Sequence, residues 1–139
     1  MSIFTWPVRV YFEDTDAGGI VYHAQYLNFM ERARTEWFRH QDFQQNQLFK
    51  QNVQLVVSRL SCRYIRPAVL DDLLEIRNSI IEVAYCTLLF KQEVYRGDEL
   101  LCDGEVEIAC IDAVNLKPKR WPSKMKTLLN EQLVACPGE

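Results

Sequence analysis

The sequence predicts an α+β fold in which an antiparallel sheet wraps around one long helix. Three observations predict it. A single long helical periodicity occupies the first third of the chain. Every long segment between it and a short C-terminal helix alternates as strands do, and short turns join these segments, as they join antiparallel neighbours. The 139 residues suit one domain spanning residues 1–139. A chain of this length buries roughly two-thirds of the surface it exposes when unfolded, so it needs no disulfide or metal staple.

Arg9 to Phe12 follows Pro7 and is rich in β-branched and aromatic residues, which predicts a first strand. It runs into a polar turn, Glu13 to Gly19, whose two glycines open backbone angles closed to other residues. Tyr26, Phe29, Met30, Ala33 and Trp37 then fall on one face of a helix. That pattern extends to about Gln45, giving about 30 Å of helix, with Asn46 and Asn52 bracketing its exit. Val53 to Arg66 alternates, shifts phase between Val57 and Leu60, and closes at Pro67, which predicts a bulged strand. Leu73 to Ala84, Thr87 to Tyr95 and Leu100 to Asp112 follow, with a hairpin turn at Arg96-Gly97-Asp98. Gly104 marks either a bulge or a close backbone approach. Ser123 to Ala135 reads as a short helix with Ser123 as its N-cap. One helix covers only one face of such a sheet, so a second copy is expected to protect the rest, as a homodimer or homotetramer.

Composition excludes several classes. The net charge of −3 argues against general affinity for nucleic acid, which needs a dense basic surface. No apolar run reaches the ~20 residues that span a bilayer. The first residues lack the basic start and apolar centre of a signal peptide. The five cysteines, at 62, 86, 102, 110 and 136, have neither zinc-site nor redox-motif spacing. They read as small apolar groups in a reducing compartment, which points to the cytoplasm.

The informative stretch is RVYFEDTDAGGIVYHAQY, Arg9 to Tyr26. Arg9, Val10, Thr15, Asp16, Gly19, Ile20, Val21, His23 and Tyr26 fill every fixed position of a signature, and the stretch resembles the 4-hydroxybenzoyl-CoA thioesterase family. The longer segment EDTDAGGIVYHAQYLNFMERARTEW is similar to the YbgC-like branch of that family, associated with the Tol–Pal system. The likeness extends through Leu70 to Ile76, Cys110-Ile111-Asp112 and Lys117-Pro118. It implies a hot-dog fold, hydrolysis of acyl-CoA thioesters, and no metal or cofactor.

The resemblance places the catalytic carboxylate at Asp16, whereas most aspartates ahead of a helix are turn formers. Asp14 keeps that turn role, or partners an arginine. An ionised carboxylate either attacks the thioester carbonyl or deprotonates water. A helix beginning near His23 would offer unpaired amides to the oxyanion, and Gly18 and Gly19 would let the backbone come close. His23 either assists Asp16 and the substrate or caps the helix start. Tyr22 and Tyr26 line an acyl pocket or pack the core. Phe12 stands where related chains often carry tyrosine. Glu31 and Arg34 form either a contribution to the site or a surface ion pair. His40 reads as a surface histidine. Lys117, Lys119 and Arg120 open a basic run that suits CoA phosphates or an acidic acyl carrier protein, and equally a solvated face. Two rival functions share the fold, an acyl-thioester hydratase or dehydratase and a non-catalytic acyl-binding protein. The Asp16-x-x-Gly19 carboxylate favours hydrolysis over both.

Overall fold

The computed structural model describes residues 3–43 and 45–133. Along the chain run β1 (Phe4–Arg9), a single 3-10 turn (Phe12–Asp14), α1 (Gln25–His40), α2 (Gln45–Lys50) and β2 (Val53–Tyr64). Then follow β3 (Leu73–Val83), β4 (Thr87–Arg96), β5 (Glu99–Asp112) and α3 (Ser123–Gln132). The strands form one sheet in the order β1-β3-β4-β5-β2, every neighbouring pair antiparallel.

The predicted apolar face of α1 is the one that packs on this sheet. Tyr26, Phe29, Met30 and Ala33 join Val8, Ile76, Val94 and Cys102 in one cluster. Trp37 and Phe38 join Phe90, Val106, Trp121 and Leu129 in another. Burying each large apolar side chain contributes about 1.5–3 kcal/mol. Two buried amides add direction to this contact. Asn78 Nδ2 donates to the Ala33 carbonyl at 3.0 Å and Gln92 Nε2 to the Met30 carbonyl at 2.9 Å, so β3 and β4 hold the helix backbone itself. Arg34 turns inward and donates to Gln92 Oε1 at 2.9 Å, while Glu31 stays exposed. The inward turn of Arg34 replaces the surface ion pair considered for these two residues.

Several boundaries differ from the sequence reading, each for a physical reason. The first strand lies earlier, at Phe4–Arg9, and contains Pro7. As an edge strand it tolerates a residue with no N–H to donate. Val10 still exchanges backbone bonds with Asp71 and Asp72, but Phe12 turns away into the 3-10 segment. α1 stops at His40 because Asp42 takes a left-handed φ of 66°. Asp42 and Phe43 then donate back to the Arg39 and Phe38 carbonyls, closing a Schellman end on aspartate where glycine is usual. Asn46 therefore lies within a separate helix, α2, and Asn52, at φ 65°, follows the end of that helix rather than of α1. α3 begins on Ser123 with Pro122 at the cap, so Ser123 is its first helical residue. Ala135 lies outside the described residues.

β2 ends at Tyr64, two residues short of the Arg66 expected, and Leu60 and Tyr64 are exposed after the shift, but the slip itself is present. Its register slips between Val57 and Arg59, leaving Ser58 as the extra residue, as the phase shift predicted. Gly104 is a close approach, since a Cβ there would stand 2.5 Å from the Ser61 carbonyl oxygen.

Candidate active site

The turn after β1 is organised by two aspartates with opposite environments. Asp14 is buried, and both its oxygens are taken. Oδ2 accepts the Tyr11 N–H at 2.8 Å and Oδ1 accepts Gln25 Nε2 at 2.8 Å. Its carbonyl accepts the Tyr22 N–H at 3.0 Å, tying the two ends of the turn together. Asp14 is thus the turn former the sequence suggested, with Gln25 as its side-chain partner.

Asp16 is exposed. Its N–H donates to the Ile20 carbonyl at 2.9 Å, and its own carbonyl accepts the Gly19 N–H at 3.0 Å. Its Oδ1 accepts the Gly18 N–H at 2.8 Å. Among the described residues Oδ2 has no hydrogen-bond partner, so one oxygen is oriented and the other is free to react. The glycines have separate jobs. Gly19 adopts φ +83° with open space around it, whereas a Cβ on Gly18 would lie 3.3 Å from Asp16 Oδ1.

The helix start is uncapped. α1 has Ala24 at its N-cap, a residue with no side-chain acceptor. Among the described residues the His23 and Ala24 amides have no hydrogen-bond acceptor. Free amides at the positive end of a helix dipole suit an anion.

Beside this turn lies a largely apolar cavity of about 250 Å³ lined by Ile20, Val21, His23, Tyr26, Tyr64 and Pro67. Asp16 is not among its lining residues, but its N–H donates to the carbonyl of Ile20, which is. Tyr26 packs the core and borders this cavity. Its hydroxyl accepts the Ala68 N–H at 2.9 Å. Burial raises its phenol above the ordinary value. The His23 ring stands 4.5 Å from that of Tyr22, and its edge contact with Tyr64 spans 6.3 Å. Among the described residues that ring makes no hydrogen bond to Asp16. Tyr22 is half exposed and is not among the residues that line the cavity. Phe12 is 80% exposed and points away from the core.

Tyr64 to Pro67 were missed as site residues. Their only signal in the sequence was position, at the end of a long strand just before a proline. Behind them Arg96 Nη1 donates to Asp72 Oδ2 at 2.6 Å and Nη2 to Glu99 Oε1 at 2.7 Å, which fixes the loop carrying Pro67. Arg96 also reaches the Pro67 carbonyl.

The basic run lies elsewhere. Lys119 and Arg120 line a cleft of about 700 Å³ with Gln51, Val53 and Lys126. Lys119 Nζ donates to the Asn52 carbonyl at 3.1 Å. Lys117 lies outside that cleft and closes a turn, its N–H donating to Asn115 Oδ1. Val53 and Tyr64 are opposite ends of β2, so roughly 35–40 Å of strand separates this cleft from the Asp16 turn. Within one chain the structure does not bring Lys117, Lys119 and Arg120 to Asp16.

One sheet wrapped on one helix, with an exposed aspartate turn against an uncapped helix start, defines a hot-dog-fold protein. The chain belongs to the thioesterase-like superfamily, whose family model matches residues 10–129. It is 45% identical over 125 residues to the acyl-CoA thioester hydrolase YbgC of Escherichia coli O6:H1, covering 89% of this chain and 93% of that one. It is 47% identical over 124 residues to the acyl-CoA thioesterase YbgC of Haemophilus influenzae, covering 88% and 91%. The crystal structure of a probable thioesterase from Bartonella henselae superposes with a TM-score of 0.83 at 34% identity, over 87% of this chain and all of that one.

Proposed function

We propose that the chain hydrolyses acyl-CoA thioesters, with Asp16 as the reacting carboxylate. The observation that carries this is the half-held Asp16 carboxylate beside an aromatic cavity and two free amides. The acyl group enters the cavity between Tyr26 and Tyr64, and the thioester carbonyl meets the His23 and Ala24 amides. Asp16 Oδ2 then attacks that carbon, or takes a proton from the water that does. The oxyanion collapses, the C–S bond breaks, and CoA leaves as its thiolate. Where Asp16 was the attacking group, water then cleaves the mixed anhydride, which frees the acid and restores the carboxylate. His23 serves as a supporting residue, its ring aligned by Tyr22 and Tyr64. Gly19 supplies the turn.

A second copy completes the site on this reading. The outer edge of β2 is unpaired in the sheet order, and Val57, Leu60, Tyr64 and Ile65 are exposed along it or just beyond it. Antiparallel pairing of two β2 edges sets the Val53 end of one beside the Tyr64 end of the other. The partner's Lys119 and Arg120 then approach the cavity of this chain. Their charges suit the phosphates of CoA or the surface of an acidic carrier protein. The four free cysteines among the described residues fit a reducing cytoplasm.

A panel of acyl-CoA thioesters, followed by thiol release, tests the function. Saturable release on at least one ester, abolished by Asp16→Asn, is the expected result. Binding without turnover across the panel would overturn it.

A further inference from the structure

Two cysteines under the cavity wall stand closer than packing requires. Cys62 Sγ on β2 and Cys102 Sγ on β5 are 3.1 Å apart. The ladder pairs Cys62 with Gly104 and Tyr64 with Cys102, so the two are diagonal neighbours on one face of the sheet. Gly104 puts no side chain between them. A disulfide bond is about 2.05 Å long, so a movement of about 1 Å joins the sulfurs. Both thiols are free.

Their surroundings differ as those of a reacting and a resolving thiol do. Cys62 is partly buried, its side chain on the core-facing side of β2 against the cluster around Met30. Cys102 is wholly buried, and that burial, together with the contact to Cys62, pushes its thiol up and keeps it protonated. Of the two, only Cys62 keeps some exposure, so a small oxidant meets it first.

We propose that Cys62 and Cys102 form an intrachain redox switch, closed by peroxides and opened by thiols. The Cys62 sulfur attacks the peroxide, whose O–O bond breaks, giving Cys62 sulfenic acid and water or an alcohol. Cys102 then attacks that sulfur, giving its proton to the departing hydroxide, so that a second water leaves and a cross-strand disulfide remains. The two thiols lose two electrons and the peroxide gains them. A thiol reductant reverses the sequence by exchange. Tyr64 senses the change, because it is the ladder partner of Cys102, two residues from Cys62 on β2, and its ring packs on Tyr26. Drawing Cys62 toward Cys102 pulls on that pairing and shifts the Tyr26–Tyr64 wall. The effect on activity rests on the acyl-pocket function proposed above.

The test treats the reduced full-length chain with hydrogen peroxide, alkylates the remaining thiols and maps the peptides by mass spectrometry. A Cys62–Cys102 linkage, reversed by dithiothreitol, is expected. Cys102→Ser should stop at a Cys62 sulfenic acid that dimedone traps, and Cys62→Ser should leave Cys102 reduced. A map with no linkage, or with Cys62 joined to another cysteine or another chain, overturns the proposal, and it needs no variant to fold. Oxidation should also raise KM for an acyl-CoA ester by about threefold or more and reduction restore it. A linked enzyme with unchanged KM overturns the coupling to the cavity. A reduced enzyme without turnover overturns the function instead, and the peptide map still decides the switch.

Discussion

The Tyr64 hydroxyl donates to the backbone carbonyl of His23 across 2.7 Å, joining the end of the edge strand to the start of the helix. That bond orients the segment whose free amides are proposed above to meet the thioester carbonyl. Tyr64→Phe keeps the ring in the cavity wall and removes only the bond. The expected loss is about 1 kcal/mol of stability, measured by denaturant unfolding, with a fall in kcat larger than any rise in KM. Desolvation and the contact with the Cys62 thiol push the Tyr64 phenol up to about 12. A raised value favours the protonated form in the fold, so the tie is complete below the ordinary value near 10 and is lost as pH rises toward 12. Wild type and Tyr64→Phe should therefore have the same pH–rate shape through neutral pH. A wild-type limb between pH 6 and 8 that vanishes in Tyr64→Phe would contradict this.

The two aspartates of the turn should separate chemistry from stability. Asp16→Asn keeps the shape of the side chain but removes the base and nucleophile, so kcat should fall by ~10²–10⁴ with circular dichroism unchanged. Asp14→Asn should do the reverse. Its two oxygens accept from Tyr11 N and Gln25 Nε2, and an amide keeps only one acceptor. A loss of about 1–3 kcal/mol in stability with kcat largely retained is expected. Full activity in Asp16→Asn would move the chemistry to another residue.

The parts of this fold legible in the sequence are those written in a period. The α1 face from Tyr26 to Trp37 and the slip at Ser58 both followed from the spacing of apolar residues. The chain ends of elements were not legible where a residue acted against its usual habit. Asp42 ends α1 in a conformation glycine normally takes, and Pro7 sits inside a strand because that strand is an edge. The site divided in the same way. The Asp16 turn and the helix start were contiguous in sequence and could be read together. Tyr64 reaches His23 only through the curl of β2, a long-range contact that no local spacing encodes. The distance between the basic run and Asp16 was hidden for the same reason, since it depends on which end of β2 each one meets.

Gly104→Ala should be costly for one methyl group. Its Cβ would stand 2.5 Å from the Ser61 carbonyl oxygen, a backbone atom that moves only if β2 moves. A destabilisation of about 1–3 kcal/mol is expected, the usual range for overpacking, read as a lower melting temperature. A neutral substitution would mean that the β2–β5 contact is looser than this geometry.

The exposed edge of β2 makes a prediction about assembly. Leu60 is 44% exposed, and on the pairing proposed above it lies near the two-fold axis. Leu60→Lys would set two like charges against each other across that axis, which edge strands use to prevent pairing. Light scattering should find wild type at twice the chain mass or more and Leu60→Lys at a lower state, with a parallel loss of turnover. A fully active monomer would refute the completed-site arrangement.

The basic run tests the same arrangement from the substrate side. Lys119 also holds the Asn52 carbonyl, so its removal mixes structure with binding. The cleaner variant is Lys117→Ala with Arg120→Ala. Contacts to phosphates act on binding and leave the broken bond alone, so KM should rise with kcat nearly unchanged. Exposed contacts contribute only ~0–1 kcal/mol each, which limits the change to roughly several-fold up to tens-fold. Added salt should produce the same rise in wild type, because exposed charges are screened over about 8 Å at physiological ionic strength. An acylated pantetheine lacks the nucleotide phosphates and is the control. Its KM should ignore both the substitutions and the salt. Equal responses for the CoA and pantetheine esters would show that these residues do not read the phosphates. The decisive comparison mixes chains. A heterodimer with an intact basic run on the Asp16→Asn chain and the double alanine variant on the other should keep the wild-type KM, since the active Asp16 then faces its partner's unaltered lysine and arginine. If KM instead rises as it does in the double-variant homodimer, the run serves its own chain and the antiparallel pairing of the β2 edges is wrong.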